Sequence, residues 1–492
     1  MSESQFEKKE IVKKSADFDR WYTDVILKAE LADYSPVKGC MVIRPYGFAI
    51  WENIQKEFDR MIKVAGVENA YFPLFIPYSF LKKEKEHVAG FSPQLAVVTI
   101  GGGEKLAEPL VVRPTSETIM YAMYAKWINS WRDLPILINQ WNNIVRWERR
   151  TYLFLRTTEF LWQEGHTVHE TKKEAMEFTL KALHWYKDLY EKFMAMFPIF
   201  GLKSQSEKFA GGLSTYAVEF LMPDGLALQG ATSHFLGQNF SKVFNISFQN
   251  RQGKIDFAWQ TSWGLSTRSI GGLIMAHGDD QGLVLPPNIA PIQVIIIPIK
   301  ENSAIAKFCA EIADGLKKQH IRVKIDDRSE KTVGWKFNEW ELKGVPIRIE
   351  VGDKEVESGQ LTVVRRDTHK KSSFPLSNPS TSVHSEVHCE LLGASLSHLF
   401  AEIQKDLYEK HKKFVTDNTY ETDDYAEFKK IMKTKRGFLY AFWCGDASCE
   451  AKIKEETKAS TRALPLAAKE ERGSCIYCGK PSNYRWYFAQ AY

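Results

Sequence analysis

At residue 291 the pattern of the chain changes, and that change constrains the architecture more than any single motif. PIQVIIIPI (291–299) is a continuous apolar run. A strand with one wet face alternates apolar and polar residues, whereas an unbroken run needs cover on both faces, as in a parallel sheet. A helix over 302–319, a strand over 321–326, a helix over 332–343 and a strand over 345–351 are predicted next. That alternation implies a small α/β domain with a largely parallel sheet. Upstream there is no such alternation. A helix is predicted over 51–66, with Trp51, Ile54, Phe58, Met61 and Ile62 on one face. Short strands are predicted at 39–47, broken at Pro45, and at 70–77, and a hairpin loop at Gly101–Gly103. A helix follows Pro114 with Thr115 or Ser116 as its cap, a long amphipathic helix covers 171–195, and strands dominate 213–269. Strands first with helices interspersed imply an α+β unit on a mostly antiparallel sheet. Residues 367–388, rich in Ser, Thr, His and Lys, read as a loop, and the chain beyond 391 is helical and charged. The expected domains are therefore 1–288, 289–390 and 391–492.

Composition narrows the class. No run approaches the ~18 apolar residues of a membrane span, and the opening MSESQFEKKEIVKK has no apolar signal region. A cytoplasmic protein with no membrane partner is expected. Net charge is 66 − 61 = +5, which permits nucleic-acid contact without demanding it.

Seven cysteines are unevenly spread. Cys40, Cys309 and Cys389 are scattered, whereas Cys444 and Cys449, then Cys475 and Cys478, form two close pairs near the C-terminus. An odd total without an export signal argues against disulfides. Two pairs separated by a loop suit a tetrahedral, structural Zn²⁺, with Gly445 and Gly479 relaxing the turns. Four reduced thiols are the plainer alternative.

Three groups within 1–288 carry residue types suited to chemistry. Arg146, Glu148 and Arg156 sit in VRWE and FLRT; residues two apart on a strand share a face, and guanidinium forks suit phosphate. By residue type alone, an ion-pair ladder across a hairpin explains them better. In SWGLSTRSIGG (262–272), Gly264 would let a flat ligand approach, and Arg268 opens a helix as an anion site would. A glycine-tolerant turn into a packed helix explains this equally well. Thr115, Glu117, Phe160, Trp162, Glu164 and His234 could form a carboxylate-and-aromatic pocket for a cationic ligand such as an amino acid; singly, each reads as core.

Together these groups resemble the three signature motifs of class II aminoacyl-tRNA synthetases. Longer segments are more specific: RPTSET (113–118), NQWNNIVRWE (139–148), TEFLWQEGHT (158–167), KFAGG (208–212), QGATSHFLGQNF (229–240) and AHGDDQGLVLPP (276–287). They resemble prolyl-tRNA synthetases of the archaeal and eukaryotic type over essentially the whole chain. The resemblance implies a class II catalytic domain, then an anticodon-binding domain, then a small α+β zinc-binding domain. The large editing insertion of the bacterial form looks absent, since only 119 residues separate Glu148 from Arg268.

Site roles follow from the same resemblance. Thr115 and Glu117 would hold the proline imino group; Phe160, Trp162 and His234 would wall its ring, supported by Glu164, with Ser266 where relatives often have Thr. Arg146 would bridge the proline carboxylate and the ATP α-phosphate, and Glu148 would read the adenine amino group. Arg156 and Thr157 would contact phosphate and base, Gln229 and Thr232 would contact ATP, and Arg268 would clamp the γ-phosphate. ATP, Mg²⁺, structural Zn²⁺, L-proline and tRNA(Pro) are the implied cofactors and substrates, and a homodimer through motif one is the implied assembly. The terminal Tyr492 is similar to that of members whose end carboxylate approaches the active site. Candidate tRNA contacts are RRDTHKK (365–371) and Trp335, Lys336 and Phe337, each of which reads equally as a solvated charged face. A threonyl- or seryl-specific relative, and a regulatory paralogue without catalysis, are the rivals; retention of Arg146, Arg156 and Arg268 argues against the paralogue.

Overall fold

The computed structural model describes residues 10–82, 95–376 and 386–492. Residues 1–9, residues 377–385 of the expected loop and the Cys389 side chain lie outside the described residues.

The first region opens with helices α1 (Phe18–Lys28) and α2 (Pro45–Lys63). Helix α2 begins six residues before the predicted 51, because Pro45 serves as its first residue, where a missing N–H costs nothing. Strand β1 (Glu68–Asn69) is short, and the strand predicted over 70–77 contracts to β2 (Phe75–Pro77), since Pro73 cannot donate to a ladder. The glycine triplet closes a hairpin of β3 (Ala96–Gly101) and β4 (Glu104–Val112), as expected. Helix α3 (Glu117–Trp127) follows, with Ser116 at its cap position.

Six antiparallel strands then build the floor of the molecule: β5 (Ile136–Val145), β6 (Glu159–His169), β7 (Ile199–Leu202), β8 (Ser214–Leu221), β9 (Ala227–Gly237) and β10 (Trp259–Ser266). Helix α4 (Lys172–Asp188) covers the back of the sheet together with α2. There Phe58 stacks on Tyr186 at 5.0 Å and Trp263 lies edge-on to both Phe58 and Trp185. Burying rings of this size contributes the largest apolar area in the core. The front of the sheet is left for polar side chains. Helix α5 (Arg268–His277) leaves β10 and leads to the second region.

That region is the predicted α/β unit: β11 (Val294–Pro298), α6 (Ser303–Lys318), β12 (Val323–Ile325), α7 (Val333–Leu342), β13 (Ile347–Val351), β14 (Gln360–Arg365) and β15 (Lys371–Pro375). The sheet order is β12-β11-β13-β14-β15; the first three strands are parallel and the last two antiparallel. Ile295, Ile296 and Ile297 of the apolar run are all fully buried, as a central strand requires. Helix α8 (Glu386–Asp417) packs on α6, so the expected boundary at 390 falls inside one helix.

The last region contains β16 (Thr419–Glu421), α9 (Tyr425–Thr434), β17 (Phe438–Phe442), α10 (Ala447–Thr457), β18 (Ser460–Pro465) and β19 (Arg485–Ala489). Its sheet does not stand apart. Strand β18 pairs with β7, with Leu464 opposite Leu202 and Pro465 opposite Gly201. One 11-stranded sheet results, in the order β16-β17-β19-β18-β7-β8-β9-β10-β6-β5-β1. Gly201 permits the join, because a Cβ there would stand 1.9 Å from the Leu464 carbonyl oxygen. The chain end docks on the same sheet: Ala227 N–H donates to Gln490 O at 2.8 Å and Tyr492 N–H to Ala227 O at 3.2 Å.

Candidate active site

The front of β5, β6, β9 and β10 forms a floor whose rows can be read from the register. Thr232 lies opposite Gly264, Gly264 opposite Glu164, and Glu164 opposite Gln140. In the neighbouring row His234, Ser262 and His166 are aligned in the same way. Side chains two apart on a strand share a face, so Phe160, Trp162, Glu164 and His166 of β6 all point forward. A cavity of about 260 Å³ stands on this floor.

Glu164 is buried and saturated. It accepts from Ser116 N–H at 3.3 Å, Gln140 Nε2 at 3.2 Å, Asn142 Nδ2 at 2.8 Å, His166 Nε2 at 3.0 Å and the Ser116 hydroxyl. Ser116 therefore spends its hydroxyl on Glu164 rather than on capping α3. Tyr121 OH meets His166 Nδ1 at 3.1 Å and extends the chain. A carboxylate with this many donors is fixed in place, as a supporting residue must be. Beside it, the Thr115 hydroxyl donates to Glu117, and both residues are buried in the cavity wall.

The cavity also carries cations. The Arg146 guanidinium lies 5.6 Å from the centre of the Phe160 ring and 5.4 Å from that of Trp162, while its Nε donates to Pro114 O at 3.1 Å. Burial pulls its pKa down to about 10, against the upward pull of Glu117. Arg268 donates through Nε to Leu155 O at 3.0 Å, and burial followed by repulsion from Arg156 lowers its pKa as well. Cations disfavoured by burial gain most from a bound anion. His234 is clamped between Thr215 Oγ1 at 2.9 Å and Thr232 Oγ1 at 3.0 Å, with Phe209 packed on its ring at 4.5 Å.

Thr115, Glu117, Arg146, Phe160, Trp162, Glu164, Gln229, Thr232, His234, Ser266 and Arg268 thus meet around one cavity. Glu148, Arg156 and Thr157 do not line it. They belong to the turn between β5 and β6, above the floor, and the Thr157 hydroxyl donates to Glu159 O at 2.7 Å. Glu148 and Arg156 still act on Arg268 electrostatically. Sequence reasoning missed His166 and Lys203, which also line the cavity. The His in QEGHT, two residues after Glu164 on the same face, was the available signal for His166; for Lys203 there was none.

Two of the suggested tRNA contacts prove to be structural. Arg365 donates to Asp367 at 3.0 and 2.7 Å and to Asp406 at 2.6 Å. Arg366 binds both oxygens of Asp279, at 2.8 and 2.6 Å, and the Glu341 carbonyl at 2.7 Å. Both are buried, so this pair is not a basic surface patch. Lys336 is also buried, donating to Asp326 O at 3.1 Å. Trp335 remains partly exposed between Arg328 and Lys331. Tyr492 does not line the cavity; its hydroxyl donates to Asp224 at 2.8 Å.

Among the described residues two clusters bring ligand atoms within 4.8 Å of one another: Glu117, Glu164 and His166, and the four cysteines Cys444, Cys449, Cys475 and Cys478. The first is the hydrogen-bond network just described. In the second, Cys444 Sγ lies 3.7 Å from both Cys449 and Cys478 Sγ. Four thiolates at ~2.3 Å from one Zn²⁺ would be separated by about 3.8 Å, so the set fits. Gly445 and Gly479 adopt left-handed φ of 80° and 72°, as the two turns need.

Comparison with known proteins agrees with each region. The family description "tRNA synthetase class II core domain (G, H, P, S and T)" matches residues 102–277, "Anticodon binding domain" matches 293–385, and "Prolyl-tRNA synthetase, C-terminal" matches 425–492. The chain is 52% identical to Proline--tRNA ligase 2 of Clostridioides difficile over 492 residues, covering 100% of this chain and 99% of the relative. It is 50% identical to the Proline--tRNA ligase of Natranaerobius thermophilus, covering 98% of each. A crystal structure of prolyl-tRNA synthetase from Cryptosporidium parvum, complexed with halofuginone and AMPPNP, superposes with a TM-score of 0.91 at 44% identity, covering 98% of this chain and 99% of that one.

Proposed function

Because the chain belongs to the proline–tRNA ligases, which activate L-proline with ATP and pass it to the 3′ end of tRNA(Pro), we propose that the cavity between Glu117 and Arg268 serves both steps. One observation carries this reading: the buried carboxylate of Glu117 and the guanidinium groups of Arg146 and Arg268 line the same 260 Å³ space. An amino acid joined to a polyphosphate offers a cation to the first and anions to the other two.

In this reading Thr115 and Glu117 receive the secondary amine of proline, and Phe160, Trp162 and His234 enclose its ring. Glu164 and Ser266 support that pocket. Arg146, set between the proline ring wall and the rest of the floor, holds the carboxylate against the α-phosphorus. Gln229, Thr232 and Arg268 hold the nucleotide, while Glu148, Arg156 and Thr157 reach it from the turn above. The carboxylate is already a nucleophile, so the first step needs no base: it attacks phosphorus in line and pyrophosphate leaves. The site then works by positioning and by stabilising charge on the phosphoryl oxygens. Bound with the nucleotide, Mg²⁺ would supply further neutralisation of that charge. In the second step the terminal ribose hydroxyl of tRNA(Pro) attacks the prolyl carbonyl and AMP leaves.

Arg146→Ala tests the assignment. Proline-dependent ATP–pyrophosphate exchange should fall at least about 100-fold, roughly 3 kcal/mol of transition-state stabilisation. Binding of tRNA(Pro) should change little; exchange surviving within a few-fold would remove Arg146 from the mechanism.

The remaining assignments concern assembly. The catalytic, anticodon-binding and C-terminal domains are taken as 1–288, 289–390 and 391–492, the last boundary lying within α8; limited proteolysis should cut at the first junction before the second. Cys444, Cys449, Cys475 and Cys478 would hold a structural Zn²⁺ that stabilises the last region. One equivalent of zinc per chain by elemental analysis is expected, lost in Cys449→Ser together with thermal stability. A homodimer through motif one is supported by exposed Tyr71, Phe75, Val97 and Ile100 around β2 and β3. Light scattering should give twice the 56.6 kDa of one chain. Four reduced thiols suit a cytoplasmic location, which cell fractionation would check.

A further inference from the structure

Three charged cavity residues have no role above. Glu207 pairs with Lys454 at 3.2 Å, and Lys208 donates to Gly212 O at 2.8 Å. Lys203 differs from both. Its side chain is only 3% exposed, yet it lines the cavity. Its Nζ donates to Glu219 at 3.3 Å and to Gln229 Oε1 at 3.4 Å. The ammonium has a third N–H, for which no protein acceptor is found among the described residues.

Glu219 cannot neutralise Lys203 by itself, because it is shared. Arg462, on β18 of the C-terminal region, grips both oxygens of Glu219 with Nη2 at 2.9 and 2.8 Å and adds Nε at 3.2 Å. Glu219 is fully buried and Arg462 nearly so. Glu207 also acts on Lys203 and Arg462, but it is itself paired with Lys454, so the buried ammonium keeps one unfilled donor where it lines the cavity. Arg268 acts on the same Glu219, so three cations converge on one carboxylate.

The setting is rigid. Strand β18 is seated on β7 immediately beside Lys203, at Leu464–Leu202. Glu450 of α10 accepts from Ser204 Oγ at 3.2 Å, from Thr461 N–H at 3.1 Å and from the Ser206 hydroxyl, so the residues after Lys203 are tied to the same C-terminal region. The C-terminal region therefore fixes a wall of the cavity it does not itself line.

We propose that Lys203 binds phosphate oxygens of the nucleotide on the pyrophosphate side of the reacting bond, and that Arg462 is a positioning residue holding Lys203 there through Glu219. This rests on the reading that places the nucleotide between Gln229 and Arg268. It assigns the C-terminal region a part in activation that is separate from holding zinc.

Pyrophosphate-exchange kinetics on the full-length chain test it, with ATP and inorganic pyrophosphate as probes. Lys203→Met keeps the stem and removes the charge. The KM values for ATP and pyrophosphate should rise fivefold or more, with the proline KM within twofold of the parent. Arg462→Met should reproduce that selective rise, and Arg462→Lys should recover most of it, which a purely structural strand contact would not do. Should Lys203→Met fail to fold, as judged by its thermal midpoint, Lys203→Gln and Lys203→Arg take its place, the second retaining affinity. A rise below fivefold, or equal rises for ATP and proline, overturns the inference. Arg268→Ala separates the two readings: an unchanged ATP KM there would mean that the nucleotide lies elsewhere, whereas a normal Lys203→Met beside an impaired Arg268→Ala would defeat only the present inference.

Discussion

Helix α5 has an arginine at each end, and the two are treated oppositely. At its start Arg268 donates one Nε–H bond to the Leu155 carbonyl, and the charge acting most strongly on it is the repulsive Arg156. A cation there also faces the positive end of the helix dipole. Just beyond the other end, Arg366 from the second region binds both oxygens of Asp279 and the Glu341 carbonyl, while Trp21 Nε1 donates to the Asp279 carbonyl at 2.8 Å. Arg366 is compensated inside the fold. The Arg268 guanidinium makes one hydrogen bond to the protein and lines the cavity. A guanidinium short of acceptors and facing space is suited to an anion; where the fork is filled by the protein, the arginine holds two regions together.

The contrast can be broken by experiment. Arg268→Ala should cost activity and not stability: exchange kcat/KM should fall about 100- to 1,000-fold, roughly 3–4 kcal/mol, with an unchanged or raised thermal midpoint. A loss of only a few-fold would place Arg268 with Arg366. Arg366→Ala should do the reverse. Losing one partner of a largely buried pair costs up to about 3–5 kcal/mol, and the part-exposed Asp279 reduces this to roughly 2 kcal/mol. A lowered thermal midpoint with near-normal exchange is expected, and the salt dependence of tRNA binding should not move; a shallower salt slope would restore Arg366 as a phosphate contact.

A third test extends the same division through pH. His277 closes α5, buried, with Nε2 2.8 Å from Met194 O, and burial holds its pKa down at about 3. His411 packs against it, with its pKa lowered to about 4, and Nδ1 accepts from Phe197 N–H at 2.9 Å. Unfolded histidine takes its proton near pH 6.5. Between that pH and the folded values the unfolded chain binds more protons, so stability is fully present above about pH 6.5 and is lost as pH falls toward 4 and 3. At pH 5, His277 alone should account for roughly 2 kcal/mol. Denaturant midpoints at pH 7 and 5 should show the loss, and His277→Asn should shrink it; an unchanged difference would show that these rings are not the acid-sensitive contact.

Much of the site was legible because strand alternation is strict. With Glu164 on the front face, Phe160, Trp162 and His166 had to be there too, and the hydrogen-bonded register of β6, β9 and β10 brought Thr232 and His234 level with them. Glu148, Arg156 and Thr157 were less legible, since a turn obeys no such period. The buried Arg365 and Arg366 were misleading: a run of basic residues reads as surface until the aspartates that meet it, Asp279, Asp367 and Asp406, are seen to converge from distant segments.

By itself the sequence determined the three kinds of region, the family, the strand and helix periods and the cysteine quartet, because each rests on local spacing or on long matched segments. Tertiary structure alone decided which charges are spent within the fold and which face the cavity. It also decided that β18 would extend the catalytic sheet through Gly201 and carry Arg462 to Glu219. A charge is compensated by whichever groups lie within a few ångströms, and here those groups come from positions 243 residues apart along the chain.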